Sequence, residues 1–186
     1  ADKIFKLSIG DTSEYRLLPE LIEKLSRIAP NINVESYLTP REDTPRELAT
    51  GNIDFAIDPP IHADSSLKHK KIYSDSYVLI IRQNHPITKK RNISLEDYLD
   101  LSHIHISKRS TGLGHVDTTL NRLGAKRRIA LRAQHYLVAP YIIQRSDLAI
   151  TSIKSFARGR NLKVLKLPFA INPLILHLYW HESKHL

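Results

Sequence analysis

Two spacings of apolar residues alternate along the chain, and each predicts a different element. Apolar and polar residues alternate over residues 4–9, as in a strand. An apolar stripe at helical spacing follows and ends before Pro30. The succession repeats, and we predict strands over 4–9, 34–38, 54–57, 67–73, 77–81, 103–106, 128–133, 148–152, 162–167 and 174–180, with helices that end at Ile28, Gly51, Leu99, Leu123 and Arg145.

The order of these elements predicts an α/β fold in two parts. The alternation of strand and helix reaches the continuously apolar strand 77–81 and starts again after Asn84-His85-Pro86. Strands that alternate with helices form mainly parallel sheets, and ligands bind at the carboxyl ends of such strands. We therefore expect two lobes, each with a mainly parallel sheet.

Composition narrows the class of protein. The chain has 186 residues, of which 41% are apolar, and it contains neither Cys nor Met. The absence of Cys excludes a disulfide framework, thiol catalysis and Cys-ligated zinc. No apolar run reaches the 18 or so residues of a membrane span, and no signal peptide is evident, so we expect a soluble, cytoplasmic protein without membrane contact. A chain that lacks Met and begins at Ala1 is either processed or a fragment of a longer protein.

The net charge of +9 is unevenly distributed. Residues 1–81 carry ten basic against thirteen acidic side chains, a net charge of −3. Residues 82–167 carry seventeen against five, a net charge of +12. The basic part favours anionic ligands, nucleic acid or an acidic partner surface. The clusters Lys89-Lys90-Arg91 and Lys126-Arg127-Arg128 fall in predicted turns, so a solvated basic surface is an equally good interpretation.

Motifs for catalysis and cofactor binding are missing from the sequence. It has no Walker loop, no Gly-x-Ser-x-Gly and no His-Glu-x-x-His, and Gly112-Leu113-Gly114 lacks the third glycine of a dinucleotide motif. His103-x-His105 is a weak metal candidate. The series His177, His181 and His185 is also weak, because residues i and i+4 of a strand lie about 13 Å apart. We expect no metal, no cofactor and no enzymatic activity.

The positive signal is a pair of polar segments between a predicted strand and the helix that follows it. Asp11-Thr12-Ser13 occupies this position in the first lobe, and Ser110-Thr111-Gly112 occupies it in the second. Unpaired backbone N–H groups and the helix dipole make such places suited to anions. Each hydroxyl taken alone is better interpreted as a helix N-cap, but one set in each lobe favours a cleft.

Several segments resemble the effector-binding domain of LysR-type transcriptional regulators, nearest to the branch of NodD, NahR and LeuO. The resemblance spans nearly the whole chain, and its specificity comes from the order and spacing of the segments. They are Phe5–Pro19, Leu48–Ile57, Tyr77–Pro86, Gln134–Pro140, Ser146–Ile150 and Leu178–His181.

The resemblance implies a periplasmic-binding-protein type II-like fold, with two Rossmann-like lobes, a cleft between them and two crossover strands. Lobe I would comprise residues 1–81 and 168–186, and lobe II residues 82–167. A small-molecule effector would bind in the cleft. By position, the resemblance implicates Asp11, Thr12, Ser13, Thr39, Pro59, Pro60, Ser110, Thr111, His135 and Phe169.

The resemblance also implies partners. The family pairs such domains into antiparallel homodimers, and the full-length regulator would be a homotetramer that binds DNA through an N-terminal winged helix-turn-helix domain. That domain has no counterpart in this chain, so we expect an excised regulatory domain. The aromatic residues Tyr15, Tyr136 and Phe169 favour an aromatic or carboxylate effector. The alternatives are a solute-binding receptor of a transport system and a small enzyme on the same fold.

Overall fold

The computed structural model describes residues 3–61, 65–108 and 111–184. The chain divides into two compact units, Ala1–Ser74 with Leu174–Leu186, and Asp75–Pro173. In chain order the main elements are β1 (Lys3–Ile9), α1 (Asp11–Ile28), β2 (Ile32–Tyr37), α2 (Thr44–Thr50), β3 (Phe55–Asp58), β4 (Leu67–Asp75), β5 (Tyr77–Arg82), α3 (Leu95–Leu99), β6 (Ser102–Ile106), α4 (His115–Arg122), β7 (Arg128–Ala133), α5 (Ala139–Gln144), β8 (Ala149–Ile153), β9 (Leu162–Leu165) and β10 (Leu174–His181). Short 3₁₀ helices cover Pro86–Lys89, Tyr136–Val138 and Lys154–Ala157.

Unit 1 is built on a mixed sheet with the strand order β2-β1-β3-β10-β4. β1 is parallel to β2 and to β3, whereas β10 is antiparallel to β3. Leu48 of α2 and Tyr179 of β10 meet in a small core. The Tyr179 hydroxyl accepts a hydrogen bond from the backbone N–H of Ile61 at 2.8 Å, which fixes the chain after β3.

Unit 2 is built on a second mixed sheet, with the order β7-β6-β8-β5-β9. β6 is parallel to β7 and to β8, and β5 is antiparallel to β8 and to β9. Its core contains Leu79 of β5, Tyr98 of α3 and Leu120 of α4, all fully buried. Apolar residues on both faces of β5 explain its continuous hydrophobic run.

Two expectations about the architecture need correction. The sheets are mixed rather than mainly parallel, because β5 and β10 enter antiparallel to their neighbours. The predicted boundaries after residue 81 and before residue 168 are displaced to 74/75 and 173/174. The physical reason for the first shift is that β5 pairs with β8 and β9, so it belongs to the second sheet.

Local sequence signals mark several helix ends. Ser94 and Asp97 form a capping box at the start of α3. Gly51 ends α2 with φ of 76°, which favours glycine. The N-cap of α2 is Asp43. Thr44 is the first helical residue, and its buried hydroxyl donates to the Pro40 carbonyl at 3.2 Å.

α1 is amphipathic but buries none of its residues fully within unit 1. Ile22 and Ile28 of this helix are 48% and 80% exposed. Among the described residues, no helix combines the length and the apolar composition that a membrane crossing requires. Leu17, Leu18, Leu21 and Leu25 of the apolar stripe are half-buried, so the stripe is covered only in part.

Candidate functional site

The carboxyl ends of three parallel strands bring most of the unit 1 candidates to one edge of the sheet. β1 ends at Ile9, and β2 and β3 lie on either side of it in parallel register. The candidates at this edge are all half-buried: Asp11, Thr12 and Ser13 after β1, Thr39 after β2, and Pro59 after β3. The sheet thus positions side chains that are up to 48 residues apart in sequence.

Backbone geometry at this edge differs from the prediction in one respect. Gly10 is the N-cap of α1 and makes no side-chain cap hydrogen bond, so Asp11, Thr12 and Ser13 form the first helical turn instead of preceding it. The Thr12 N–H donates to Asp11 Oδ1 at 3.0 Å. The hydroxyls of Thr12 and Ser13 therefore belong to a helix start whose backbone donors favour negative charge.

Thr39 is held at the same edge by a buried hydroxyl. Its backbone N–H donates to Oγ of Ser8 at 3.0 Å, and Ser8 is a buried residue of β1. This contact links the end of β2 to β1 beyond the last paired residues. It explains why a residue without regular secondary structure has a fixed position at the edge.

Arg41 completes the edge in unit 1, although no sequence signal distinguished it from other surface arginines. Its Nη1 lies 3.1 Å from Asp58 Oδ1, and its Nη2 donates to the carbonyls of Pro59, at 3.3 Å, and Pro60. Burial raises the pKa of Asp58, and Arg41 opposes that rise. Arg41 thus fixes the turn after β3, and its ion pair with Asp58 balances the charge of that carboxylate.

The unit 2 candidates are more dispersed. Ser110 lies outside the described residues. Thr111 is exposed and precedes α4, whose N-cap is Gly114. His135 is exposed and follows β7, directly before the 3₁₀ helix Tyr136–Val138. β6 and β7 are parallel, so Thr111 and His135 follow strands that end at the same edge of the sheet.

Phe169 lies in unit 2 rather than in the lobe I segment predicted for it. Its half-buried ring packs edge-on against the ring of Tyr98, with ring centroids 5.1 Å apart. It belongs to the layer around the core that also contains Leu167. The observed role of Phe169 is therefore to pack against the core of unit 2.

Unit 2 contains a cavity of about 90 Å³ between the carboxyl end of β6 and the start of α4. Arg127 lines it and is only 5% exposed. Asp117 of α4 holds the guanidinium in a bidentate ion pair, with Nε to Oδ1 at 2.7 Å and Nη2 to Oδ2 at 2.9 Å. The solvated interpretation of the cluster Lys126-Arg127-Arg128 is thus wrong for its central residue.

His105 joins this ion pair. Its Nδ1 lies 3.5 Å from Asp117 Oδ2 and 3.4 Å from Arg127 Nη2. Arg127 and its neighbours lower the pKa of Asp117 despite the opposing effect of burial, so that carboxylate is ionised at neutral pH. The arrangement offers a buried cation, backbone donors and an ionised partner, which suits the binding of a polar, anionic group.

The histidines considered as metal ligands lie in different surroundings. His103 is buried in β6, whereas His177 of β10 is half-buried and its Nδ1 lies 2.9 Å from Nδ1 of His69 on β4. His185 lies outside the described residues. Across residues 3–61, 65–108 and 111–184, no group of three His, Asp or Glu side chains could hold a metal ion.

Sequence comparison shows that the chain is similar to part of known regulatory proteins. It is 25% identical over 189 residues to the transcriptional activator NahR of Pseudomonas putida, covering 100% of the chain and 63% of NahR. It is 27% identical over 188 residues to nodulation protein D 2 of Sinorhizobium fredii, covering 97% of the chain and 59% of that protein. The chain thus spans about three fifths of the length of these relatives.

Solved structures show the same fold. A probable transcriptional regulator from Pseudomonas aeruginosa superposes with a TM-score of 0.89 at 26% identity, covering 100% of this chain and 64% of that one. The BenM effector-binding domain, solved with its effector benzoate, gives 0.78 at 17% identity and covers 100% of this chain and 86% of that one. The periplasmic-binding-protein type II-like fold class is thereby confirmed.

The family match rests on the whole described sequence rather than on one segment. The sequence model of the LysR substrate-binding domain matches residues 3–186. This agrees with the resemblance seen in the order of the sequence segments. The chain belongs to the LysR substrate-binding domain family.

Proposed function

We propose that the chain senses a small-molecule effector and mediates oligomerisation in a LysR-type transcriptional regulator. The regulator would act in the cytoplasm and bind DNA through an N-terminal winged helix-turn-helix domain. Effector binding would shift the relative position of the two units and so bias how the DNA-binding domains sit on their site. Such a function needs neither a catalytic residue nor a cofactor.

The observation that carries this proposal is the convergence of polar groups at the carboxyl ends of parallel strands in unit 1. The set comprises Asp11, Thr12, Ser13, Thr39 and Pro59. Ligands of open α/β sheets bind at such ends. We propose that these residues, with Ser110, Thr111 and His135 from unit 2, contact the effector. Backbone N–H groups at the start of α1 favour a small carboxylate.

A thermal-shift screen of small acids tests the effector proposal. A ligand at 100 times its Kd stabilises the folded state by about 2.7 kcal/mol, which raises Tm by roughly 5 to 11 °C for a chain of this size. Benzoate is the first probe, because it is the effector of the structurally similar BenM domain. Aliphatic and hydroxylated acids and neutral aromatic compounds complete the screen.

Two matched valine variants show whether unit 1 takes part. Thr12→Val removes one hydroxyl from the proposed edge at nearly constant volume and should reduce the shift. Thr118→Val makes the same change at an exposed position of α4 and should leave the shift intact. The effector proposal fails if no compound of the screen raises Tm, or if both variants respond like the unmodified chain.

Exposed apolar residues and opposite charges support the proposal of an antiparallel homodimer. In unit 1, Ile28 of α1 is 80% exposed, and in unit 2, Tyr141 of α5 is 70% exposed. Unit 1 has eleven basic against thirteen acidic residues, a net charge of −2, and unit 2 has seventeen against six, a net charge of +11. Opposite charges favour pairing of unit 1 with the partner's unit 2, and the apolar residues would be covered there. We propose that two such dimers form the tetramer of the full-length regulator.

Sedimentation equilibrium tests the dimer. Tyr141→Glu changes both contacts of a twofold dimer at once, so we expect predominantly monomer where the unmodified chain is a dimer. Ile72→Glu is the control, because Ile72 is also exposed but lies on β4, at the opposite edge of the sheet from β2. A Tyr141→Glu variant that is as dimeric as the unmodified chain contradicts this pairing.

The alternative of a solute-binding receptor for transport is not favoured. The curated relatives that cover the chain end to end are transcriptional regulators. Fractionation of cells that express the full-length protein separates the two functions. A regulator is recovered with the cytoplasmic and DNA-bound material, whereas a transport receptor is exported.

A further inference from the structure

Two imidazole rings meet on the sheet of unit 1. They belong to His69 of β4 and His177 of β10, which are neighbouring strands although the two residues are 108 positions apart in sequence. The Nδ1 atoms of the two rings lie 2.9 Å apart, and the ring centroids 5.0 Å apart. The spacing of histidines along β10 gives no sign of this pair, because its second member comes from another strand.

The distance between the two nitrogens sets the angle at which they can hold one ion. With metal–nitrogen bonds of about 2.0 to 2.1 Å, as for zinc, a separation of 2.9 Å gives an N–metal–N angle of about 90°. A tetrahedral zinc ion needs about 109°, which corresponds to nitrogens about 3.3 Å apart. An angle near 90° is the angle between adjacent ligands of a square-planar or tetragonal ion, which is the geometry of Cu²⁺ and Ni²⁺.

Tyr179 of β10 holds the His69 ring in place. The two rings stack with centroids 5.4 Å apart and an interplanar angle of 28°. Tyr179 is buried, and its hydroxyl accepts the hydrogen bond from Ile61 that fixes the chain after β3. A ligand ring that is already held by packing loses less freedom when an ion binds. The pair is thus positioned by strands, which hold ligands more accurately than loops do.

The protonation of the two rings suits metal binding. Desolvation, His69 and Lys71 lower the pKa of His177, so this ring is neutral at pH 7. Without an ion, the Nδ1–H of one ring donates to Nδ1 of the other. When an ion binds, the donor ring carries its proton on Nε2 instead, so both Nδ1 lone pairs are available and neither ring becomes charged.

The charges around the pair favour ions that bond strongly to nitrogen. The positive charge of Lys71 opposes any cation, whereas Lys68 of the same strand is paired with Glu182 at 3.7 Å. Affinity must therefore come from the metal–nitrogen bonds. Imidazole suits Cu²⁺ and Ni²⁺, while Mg²⁺ and Ca²⁺ prefer oxygen ligands.

Two protein ligands leave the other coordination positions to water. His69 is exposed and His177 is half-buried, so solvent reaches the pair. Within the part of the chain that the structure describes, no third His, Asp or Glu completes a metal-binding group. Structural metal sites are usually closed by four protein ligands, so an ion bound here would remain exchangeable.

We propose that His69 and His177 form a binding site for Cu²⁺ or Ni²⁺, with water completing the coordination. The boundaries of unit 1 fall at 74/75 and 173/174, so the chain leaves this unit at the end of β4 and re-enters it at the start of β10. An ion bound to both strands would fix them to each other beside these two connections. The site goes beyond the proposed function and does not depend on an effector.

Calorimetric titration with CuCl₂ and NiCl₂, in a buffer without chelating groups, tests the site. We expect His69→Gln and His177→Gln each to weaken binding by at least about tenfold, because the loss of even an outer partner of a metal ligand costs about 10- to 100-fold. The double variant measures the background from other groups of the chain. His135→Gln and His181→Gln are the matched controls, since each removes a histidine outside the pair, and both should bind like the unmodified chain.

Circular dichroism shows whether each variant is folded. A folded double variant that binds Cu²⁺ and Ni²⁺ as tightly as the unmodified chain overturns the site. Electron paramagnetic resonance of the Cu²⁺-bound chain tests the geometry. We expect the axial spectrum of a tetragonal ion with coupling to two ring nitrogens, and coupling to one in either single variant. A spectrum that is the same in both single variants as in the unmodified chain also overturns the site.

Nuclear magnetic resonance of the unmodified chain locates the ion without any substitution. Paramagnetic Cu²⁺ should first broaden the signals of β4 and β10 around His69 and His177. Broadening that is centred on another part of the chain contradicts the proposal. These outcomes leave the proposed function unaffected, because the thermal-shift screen of effectors contains no metal ion. In the same way, a screen without any stabilising compound does not change the expected metal binding.

Discussion

Acidification should destabilise unit 2 through His103. This residue of β6 is completely buried, and its Nε2 lies 2.8 Å from the Tyr98 carbonyl, to which it donates. Its Nδ1 is buried without a hydrogen-bond partner among the described residues, so a second proton there would have no acceptor. Burial lowers the pKa of His103 to about 4; Arg127 also lowers it, and the Tyr98 carbonyl opposes the change. His103 is therefore neutral at pH 7.

The sign and size of the effect follow from the two pKa values. In the unfolded chain a histidine titrates near 6.5, so on acidification the unfolded state takes up the proton first. The stabilisation from neutral His103 is complete above about pH 6.5 and is lost as the pH falls towards 4. A difference of about 2.5 units corresponds to roughly 3 kcal/mol, a large share of the 5 to 15 kcal/mol that stabilises a typical domain.

Urea unfolding of the unmodified chain and of His103→Gln, from pH 7 to pH 4, measures this contribution. Glutamine can place an amide N–H near the position of Nε2 but does not titrate. Since both chains share all other ionisable groups, the difference between their stability curves isolates His103. We expect the unmodified chain to lose about 3 kcal/mol more than the variant over this range. His135→Gln, at an exposed histidine, is the control and should follow the unmodified chain. Parallel curves for the unmodified chain and His103→Gln would refute the reasoning.

Substitutions at three further positions test contacts within unit 2, each by urea unfolding at pH 7. Asp117→Ala leaves the buried Arg127 without its partner and should cost about 3 to 5 kcal/mol, more than the combined removal of both charges. Ser94→Ala removes the N-cap of α3 and should cost about 1 kcal/mol, while Ser94→Gly should cost less. Tyr98→Phe breaks the buried 2.7 Å hydrogen bond with Thr151 and should cost about 1 to 3 kcal/mol; no loss would mean that Thr151 finds another partner.

Helix ends that are determined by residues close to them in the sequence are predictable from the sequence. The capping box of Ser94 and Asp97 spans four residues, and both of its hydrogen bonds are present. Gly51 is predicted to end a helix, and it adopts a positive φ angle of 76°. Such signals are local, so the sequence around a helix end contains the information that determines it.

Strand pairing was less predictable, because it depends on residues far apart in sequence. The apolar run of β5 is the same whether the strand belongs to the first or to the second sheet. Its partners, β8 and β9, begin 72 and 85 residues later, at Ala149 and Leu162 against Tyr77. For the same reason, periodicity could not show that β5 and β10 run antiparallel to their neighbours.

The edge in unit 1 was predictable because one topological rule covers it. Parallel neighbouring strands end at one edge, so residues after β1, β2 and β3 must meet wherever these strands pair. The rule places Thr39 and Pro59 near Thr12 without any knowledge of their contacts. It does not predict Arg41, which reaches the edge from the loop before α2 through a flexible side chain.

The number of charged residues in unit 2 does not show which of them are buried. Lys126, Arg127 and Arg128 are indistinguishable in a count of charges, yet Lys126 and Arg128 are exposed and Arg127 is buried. The difference lies in Asp117, ten residues earlier on α4, which supplies the two acceptors that a buried guanidinium needs. An acidic residue in a basic segment is therefore the better indicator of which basic side chain is buried, because a buried cation requires an anionic partner. The excess of positive charge attracts anions to unit 2 as a whole, whereas this one ion pair leaves Nη1 free of protein partners beside the cavity, among the described residues.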